Sequence, residues 1–354
     1  MNLNLGIEPR DEYLSLELAK GARMLLEGQM LVKKGETVLI TGDTSSDRRV
    51  MEAIAQAAYA MDAVPVVLYY HTMPNACTEP PAPVSAAAQA SDVWVELSYA
   101  YVMHSPGYQK ALANGVRYTC LTGMDVEMMV KCVSRVDFDA LMELGNHLKE
   151  CIAAADEVVI KCANGTNLKA YNRGRRVRQS GAKALNKGES VMMGGQISWC
   201  PVEETINGTI VFDGAVYPPS DICALNGQIR LEFKEGRLVK IEGGREAKIY
   251  EDWFASFNDP NMYRLAHYSL GFNPGVTKIT GRIVEDERVF GCIEFGIGSQ
   301  GRVIGGSFWS AASHTDGTVL KPTIILDGKV FEENGVYMEP KTRELCKKLG
   351  VTGY

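Results

Sequence analysis

Apolar residues recur at helical spacing from Leu14 to Glu27, and the period then changes. After the turn Lys34-Gly35-Glu36, the run Thr37-Val38-Leu39-Ile40-Thr41 predicts a strand buried on both faces, as in a parallel sheet. The polar loop Gly42 to Asp47 ends in an N-cap candidate, and the alanine-rich stretch from Arg49 to Met61 predicts a helix. Strands are predicted again at Val64 to Tyr70, Val93 to Leu97 and Arg117 to Cys120, with helical segments between and after them. This βαβ rhythm predicts a doubly wound α/β sheet over roughly residues 1 to 135.

The helix predicted from Phe138 to Ala155 leads into different material. Glu157 to Cys162 predicts a strand and Asn164-Gly165 a turn. From Gly194 onward the pattern is short strands with Gly-rich turns. Gln228 to Phe233 and Arg237 to Ile241 alternate at period two around Glu235-Gly236, which predicts a hairpin; Ala247 to Phe257 predicts a short helix. The chain therefore divides into a Rossmann-like α/β domain, residues 1–155, and a β-rich α+β metal-binding domain, residues 156–354. No repeat is evident, and Pro80-Pro81-Ala82-Pro83 is a local loop.

At 354 residues the chain is long enough for two domains and a large core, and 46% hydrophobic with 23% charged residues is a globular composition. The net charge of -6 argues against a nucleic-acid partner. The one basic run, Arg173 to Arg178, is either an anion contact or a solvated edge. The start, Met1-Asn2-Leu3-Asn4-Leu5, lacks the pattern of a signal peptide, and no apolar run reaches the length of a membrane span. Nine scattered cysteines without paired spacing suggest reduced thiols in a cytoplasmic protein. The dinucleotide pattern GxGxxG and the P-loop are both absent after the first strand.

The chemistry concentrates in the second half. Two of the five histidines, His267 and His314, lie there, and His314-Thr315-Asp316 is an H-x-D triplet. In a strand, residues two apart share a face, so His314 and Asp316 can converge on one ion. Two imidazoles and one carboxylate are the minimum set for a catalytic divalent metal with open positions. The structural alternative is a turn or a solvated strand end. Glu294 sits inside the apolar segment Gly291 to Ile297, where a buried carboxylate must be paired, ligated or hydrogen-bonded; at a sheet edge it would face water. Glu203 and Glu204 read as ligands, as a general base, or as a solvated turn. His104, before Ser105-Pro106, reads by itself as part of a helix start. His71 and His147 read as surface or packing residues, and Tyr263 and Tyr268 as core.

Lys34-Gly35-Glu36, His104-Ser105-Pro106, Pro201 to Thr209, Phe257-Asn258-Asp259-Pro260, His267 and His314-Thr315-Asp316 together resemble a known superfamily. It joins the thermophilic-type metalloaminopeptidases (aminopeptidase T and aminopeptidase S) to 2,5-dihydroxypyridine 5,6-dioxygenase, and the motifs look most like the dioxygenase. The resemblance implies that His267, His314 and Asp316 hold a mononuclear iron and that His104 acts on the substrate. Two departures stand out. The dioxygenase has a second substrate-side histidine where this chain has Val191-Met192-Met193. The two-metal ligands of the aminopeptidases correspond to Glu204, His267, Glu294, His314 and Asp316, with the middle Glu and His exchanged.

Two enzyme readings follow. The first is an Fe(II) ring-opening dioxygenase acting on a small heteroaromatic compound, with His104 as general base. The second is a dinuclear hydrolase of aminopeptidase type using Mn, Co or Zn, with Glu203 or Glu204 as ligand or base. A metal-free binding protein on the same scaffold is the third reading. The expected partner is a small-molecule substrate, bound where the domains meet, in a homo-oligomer without nucleic acid or membrane.

Overall fold

The computed structural model describes residues 12–354; the segment Met1 to Leu5, read above for a leader, lies outside them. The chain forms two compact units. The first comprises the described residues up to Val136 together with Ala182–Met193; the second comprises Asp137–Gly181 and Gly194–Tyr354.

The first unit alternates strand and helix as the hydrophobic pattern predicts. Helix α1 (Ser15–Arg23) precedes strand β1 (Thr37–Asp43), whose residues from Val38 onward are buried. Asp47 then caps α2 (Arg48–Ala60) by accepting from the Arg49 N–H. Strand β2 (Val64–Tyr70), α3 (Ala82–Gln89), β3 (Val93–Glu96), α4 (Pro106–Ala113) and β4 (Arg117–Cys120) follow. The sheet order is β2, β1, β3, β4 and a closing strand Ser190–Met192, all parallel. The order reverses between β1 and β3, the kind of switch point beside which α/β proteins open a crevice. Trp94 and Tyr118 pack edge to face at 5.1 Å in a core with Leu39, Val102 and Tyr108.

The closing strand departs from the expected division at residue 155. Val191 and Met193 are buried, and Tyr118 to Cys120 pairs in parallel with Ser190 to Met192, so this stretch belongs to the first unit. The helix Phe138–Ala154 belongs instead to the second. Its apolar side, including Leu141, Leu144 and Leu148, is buried, and it packs on the strand Val177–Gln179 and the helix Pro340–Lys348.

The second unit stacks two antiparallel sheets. An eight-stranded sheet runs from Arg237–Gly243 at one edge, through Ile229–Lys234 and Asn207–Phe212, to Val336–Tyr337 at the other. A seven-stranded sheet contains, side by side, Trp309–Val319, Cys292–Gln300 and Leu265–Gly271. Phe212 of the first sheet meets Phe295 of the second at 6.5 Å between ring centres. Because side chains alternate along a strand, Ile293, Phe295 and Ile297 point one way and Glu294, Gly296 and Gly298 the other. The predicted hairpin is present, with Ile229 to Lys234 paired to Arg237 to Gly243. No helix among the described residues is long and apolar enough to cross a membrane.

Candidate metal centre

The central strand Cys292–Gln300 sets the geometry. Ladder pairing puts Gly296 opposite His267 on one side and opposite Asp316 on the other, while Gly298 faces His314 and Glu294 faces Ser269 and Thr318. Directly paired residues share a face. His267, Glu294, His314 and Asp316 therefore project from one side of three adjacent strands, although Asp316 lies 49 positions after His267 in the chain.

The ligand atoms of His267, His314 and Asp316 all lie within 4.8 Å of one another. Asp316 Oδ1 is 3.0 Å from Nε2 of His314 and 3.5 Å from Nε2 of His267. The imidazoles stack at 5.2 Å with planes 20° apart. His314 Nδ1 lies 2.7 Å from the Ser299 carbonyl oxygen. A carbonyl only accepts, so Nδ1 carries a proton and Nε2 is the atom turned toward the carboxylate. Without a cation, Nε2 must also be protonated to face Asp316. Accordingly, burial opposes charge on His314, but the Asp316 carboxylate outweighs it and raises the imidazole above its ordinary value. Burial likewise opposes ionisation of Asp316, and the two imidazoles reverse it, holding the carboxyl down at about 2. His267 shifts the other way, because burial lowers it more than Asp316 raises it.

Glu294 completes the arrangement. Its side chain is wholly buried, Oε2 lies 3.1 Å from His267 Nε2, and Oε1 has no hydrogen-bond partner. Burial and the neighbouring carboxylates of Asp316 and Glu287 push it well above the usual range. Two imidazoles, an ionised carboxylate and a buried carboxyl with a spare oxygen suit a divalent cation, which would replace the protons now bridging these groups.

Gly296 was not legible as a functional position. A Cβ there would stand within 2.8 Å of the His267 Nε2 atom, so the imidazole lies over a strand that has no side chain at that point. The only signal was glycine inside an apolar strand, which marks close approach without saying of what.

The other expected residues stand elsewhere. Glu203 is buried in an ion pair with Arg175 at 2.6 Å and accepts from the Ser307 N–H at 2.7 Å. Arg175 is thus a half-buried partner of Glu203, while Arg173 and Arg176 beside it are exposed. Glu204 is exposed. Neither is in the mutual ligand set. His104 belongs to the first unit, on the loop between β3 and α4, with φ of +74°. Such a backbone is uncommon for a residue with a Cβ. The loop is pinned by Asp43, which accepts from the Tyr99 N–H, by Glu96, which accepts from the Val102 N–H, and by the capping Ser105. Tyr268 is buried core, as expected. His147 meets the packing alternative: it contacts Cys151 and Glu339.

Comparison with known proteins adds the following. A curated 2,5-dihydroxypyridine 5,6-dioxygenase from Pseudomonas putida KT2440 is 34% identical over 76 residues, spanning 21% of this chain and 21% of that relative. The solved 2,5-dihydroxypyridine dioxygenase from the same organism superposes with a TM-score of 0.77 at 19% identity, over 93% of this chain and 99% of the other. Wild-type AmpT from Thermus thermophilus superposes with a TM-score of 0.67 at 13% identity, over 92% and 100%. These likenesses show a shared fold. The family model for 2,5-dihydroxypyridine 5,6-dioxygenase (NicX) matches residues 24–339, and the chain accordingly belongs to that family.

Proposed function

We propose that this protein is an Fe(II)-dependent dioxygenase that opens the ring of a small hydroxylated N-heteroaromatic compound. The observation that carries the reading is the mutual approach of His267, His314 and Asp316 on one sheet face. Two neutral imidazoles and one carboxylate would hold the ion and leave positions free for ligands. When bound, Fe(II) supplies the electronic path between a chelating ring and dioxygen.

The protein's own part is orientation and proton handling. The Ser299 carbonyl fixes the His314 tautomer, and the glycine at 296 leaves space for His267. Glu294 can give up its proton to solvent as the cation arrives and then offer a carboxylate oxygen. His104 is assigned as general base toward the ring hydroxyl, a role suited to a side chain that titrates near neutrality. Its strained backbone, held by three anchors, supports a functional demand at that position.

A dinuclear hydrolase needs a further set of carboxylates. Glu203 is committed to Arg175, Glu204 is exposed and the neighbouring Glu287 is paired with Arg288, which leaves Glu294 as the uncommitted carboxyl beside the trio. This favours one ion over two. That none of the nine cysteines is in a disulfide supports a reducing, cytoplasmic setting. Exposed Val64, Val67 and Tyr69 along the edge strand β2 support a homo-oligomer.

The decisive test reconstitutes the metal-stripped protein with Fe(II), and separately with Mn, Co or Zn. Oxygen uptake coupled to ring opening of dihydroxypyridines, dependent on Fe(II) at one ion per chain, is expected. Hydrolysis of amino-acid amides under argon with two ions per chain would overturn the assignment.

A further inference from the structure

A second cluster of ligand-type side chains lies in the same unit, outside the centre described above. The helix Phe138–Ala154 carries His147 and Cys151 four residues apart, hence on one face. His147 Nε2 lies 2.9 Å from Glu339 Oε2 and 3.5 Å from Cys151 Sγ. The three ligand atoms lie within 4.8 Å of one another. The side chains of His147 and Glu339 are 22% and 33% exposed, so an ion can enter from water.

Two features distinguish this cluster from a chance contact. Glu339 is fixed before any ion arrives. It caps the helix Pro340–Lys348, with Oε1 accepting from the Lys341 N–H and Oε2 from the N–H and hydroxyl of Thr342. Despite some burial, those bonds and His147 hold the carboxyl ionised, at about 2. Such hydrogen bonds are the outer-shell kind that orient a metal-binding carboxylate. Second, both partners meet the same imidazole nitrogen. A Cys–His–acid relay would use one ring nitrogen for each partner, so the geometry does not suit an activated nucleophile. Convergence on one point is what a shared cation needs.

We propose that His147, Cys151 and Glu339 form a second divalent-cation site, suited to a borderline ion such as Zn²⁺, with water completing the coordination. Nitrogen, sulfur and carboxylate oxygen together match that class. On binding, the Cys151 S–H bond breaks and its proton leaves to solvent, the His147 ring proton moves from Nε2 to Nδ1, and the freed sulfur and Nε2 electron pairs bind the ion; nothing is oxidised. The ion would tie the helix Phe138–Ala154 to the helix Pro340–Lys348, a structural clip separate from turnover.

The thiolate gives this site its own signature, because His267, His314 and Asp316 include no sulfur. The full-length protein is stripped of metal and titrated with Co²⁺ without oxygen. A thiolate-to-cobalt charge-transfer band should grow to one equivalent, persist in His267→Ala and vanish in Cys151→Ser. Cobalt binding without that band, or a band that survives Cys151→Ser, overturns the proposal. A measurement on the unaltered chain stands apart from any folding defect of the variant. Saturating Zn²⁺ should slow alkylation of Cys151, read by peptide mass spectrometry, by about tenfold or more. Labelling at an unchanged rate would overturn the proposal.

Discussion

Gly296 stands directly opposite His267 in the ladder between their strands, and a side chain there would occupy the volume of the imidazole. The ligand and the vacancy that admits it are thus one feature of the sheet. Gly296→Ala is expected to displace the His267 ring and weaken metal binding by about ten- to a hundredfold. Overpacking would cost about 1–3 kcal/mol of stability. Metal titration beside thermal unfolding checks this; a variant that binds metal as tightly as the parent would contradict it.

Burial and the carboxylates of Asp316 and Glu287 push Glu294 well above the usual carboxylate range, so Glu294→Gln, which keeps the shape without the charge, should fold with little change in stability. The amide cannot become a carboxylate when the cation binds, and affinity at this centre should fall by about tenfold with its one ion retained, counted in a Cys151→Ser background that removes the second site. A change from two ions to one in that background, by elemental analysis, would instead identify a dinuclear centre.

At His104 the backbone and the chemistry pull apart. His104→Gly should relieve the positive φ and stabilise the protein by about 1 kcal/mol. The same change should lower kcat by about two to four orders of magnitude, as loss of a general base does. His104→Ala should lose the activity without the stabilisation. Equal stability of the two variants would remove the argument from strain.

The first unit should lose stability as the solution becomes more basic. Burial pushes the Glu96 carboxyl up from 4.5 to about 8, with Tyr118 donating to it. Between those values the folded chain keeps a proton that the unfolded chain releases. The contribution is therefore whole below the unfolded value and declines as pH rises toward the folded one. Glu96→Gln, which cannot ionise, should flatten the dependence of Tm on pH across that window. An unchanged slope would assign it to other groups.

Glu203 is expected to matter for folding alone. Glu203→Gln weakens the pair with Arg175 and should cost about 1.5–3 kcal/mol, the range for hydrogen bonds to charged groups. Metal stoichiometry and kcat of the folded fraction should not change. A fall in kcat at full folding would return Glu203 to the catalytic set.

The parallel strands were legible because each is a short apolar run between turns, and period alone identifies such runs. His314 and Asp316 were legible as a pair because strand geometry links residues two apart. Their meeting with His267 depends on two ladders in register across the intervening strand, and no local spacing encodes that. The pairing of Glu203 was hidden for a related reason: its partner Arg175 is 28 positions away, and an acidic turn looks the same whether solvated or paired. The strand Ser190–Met192 resembled its neighbours in the second half, and only its pairing with β4 assigns it to the first unit.

That last strand bears on how the protein is made. The chain leaves the first unit after Val136, returns for Ala182–Met193, and leaves again. A ribosome must therefore extrude dozens of residues of the second unit before the first can finish its own sheet. No single cut in the gene yields either unit whole, and a fragment ending near residue 155 would expose the edge of β4 to whatever strand came along.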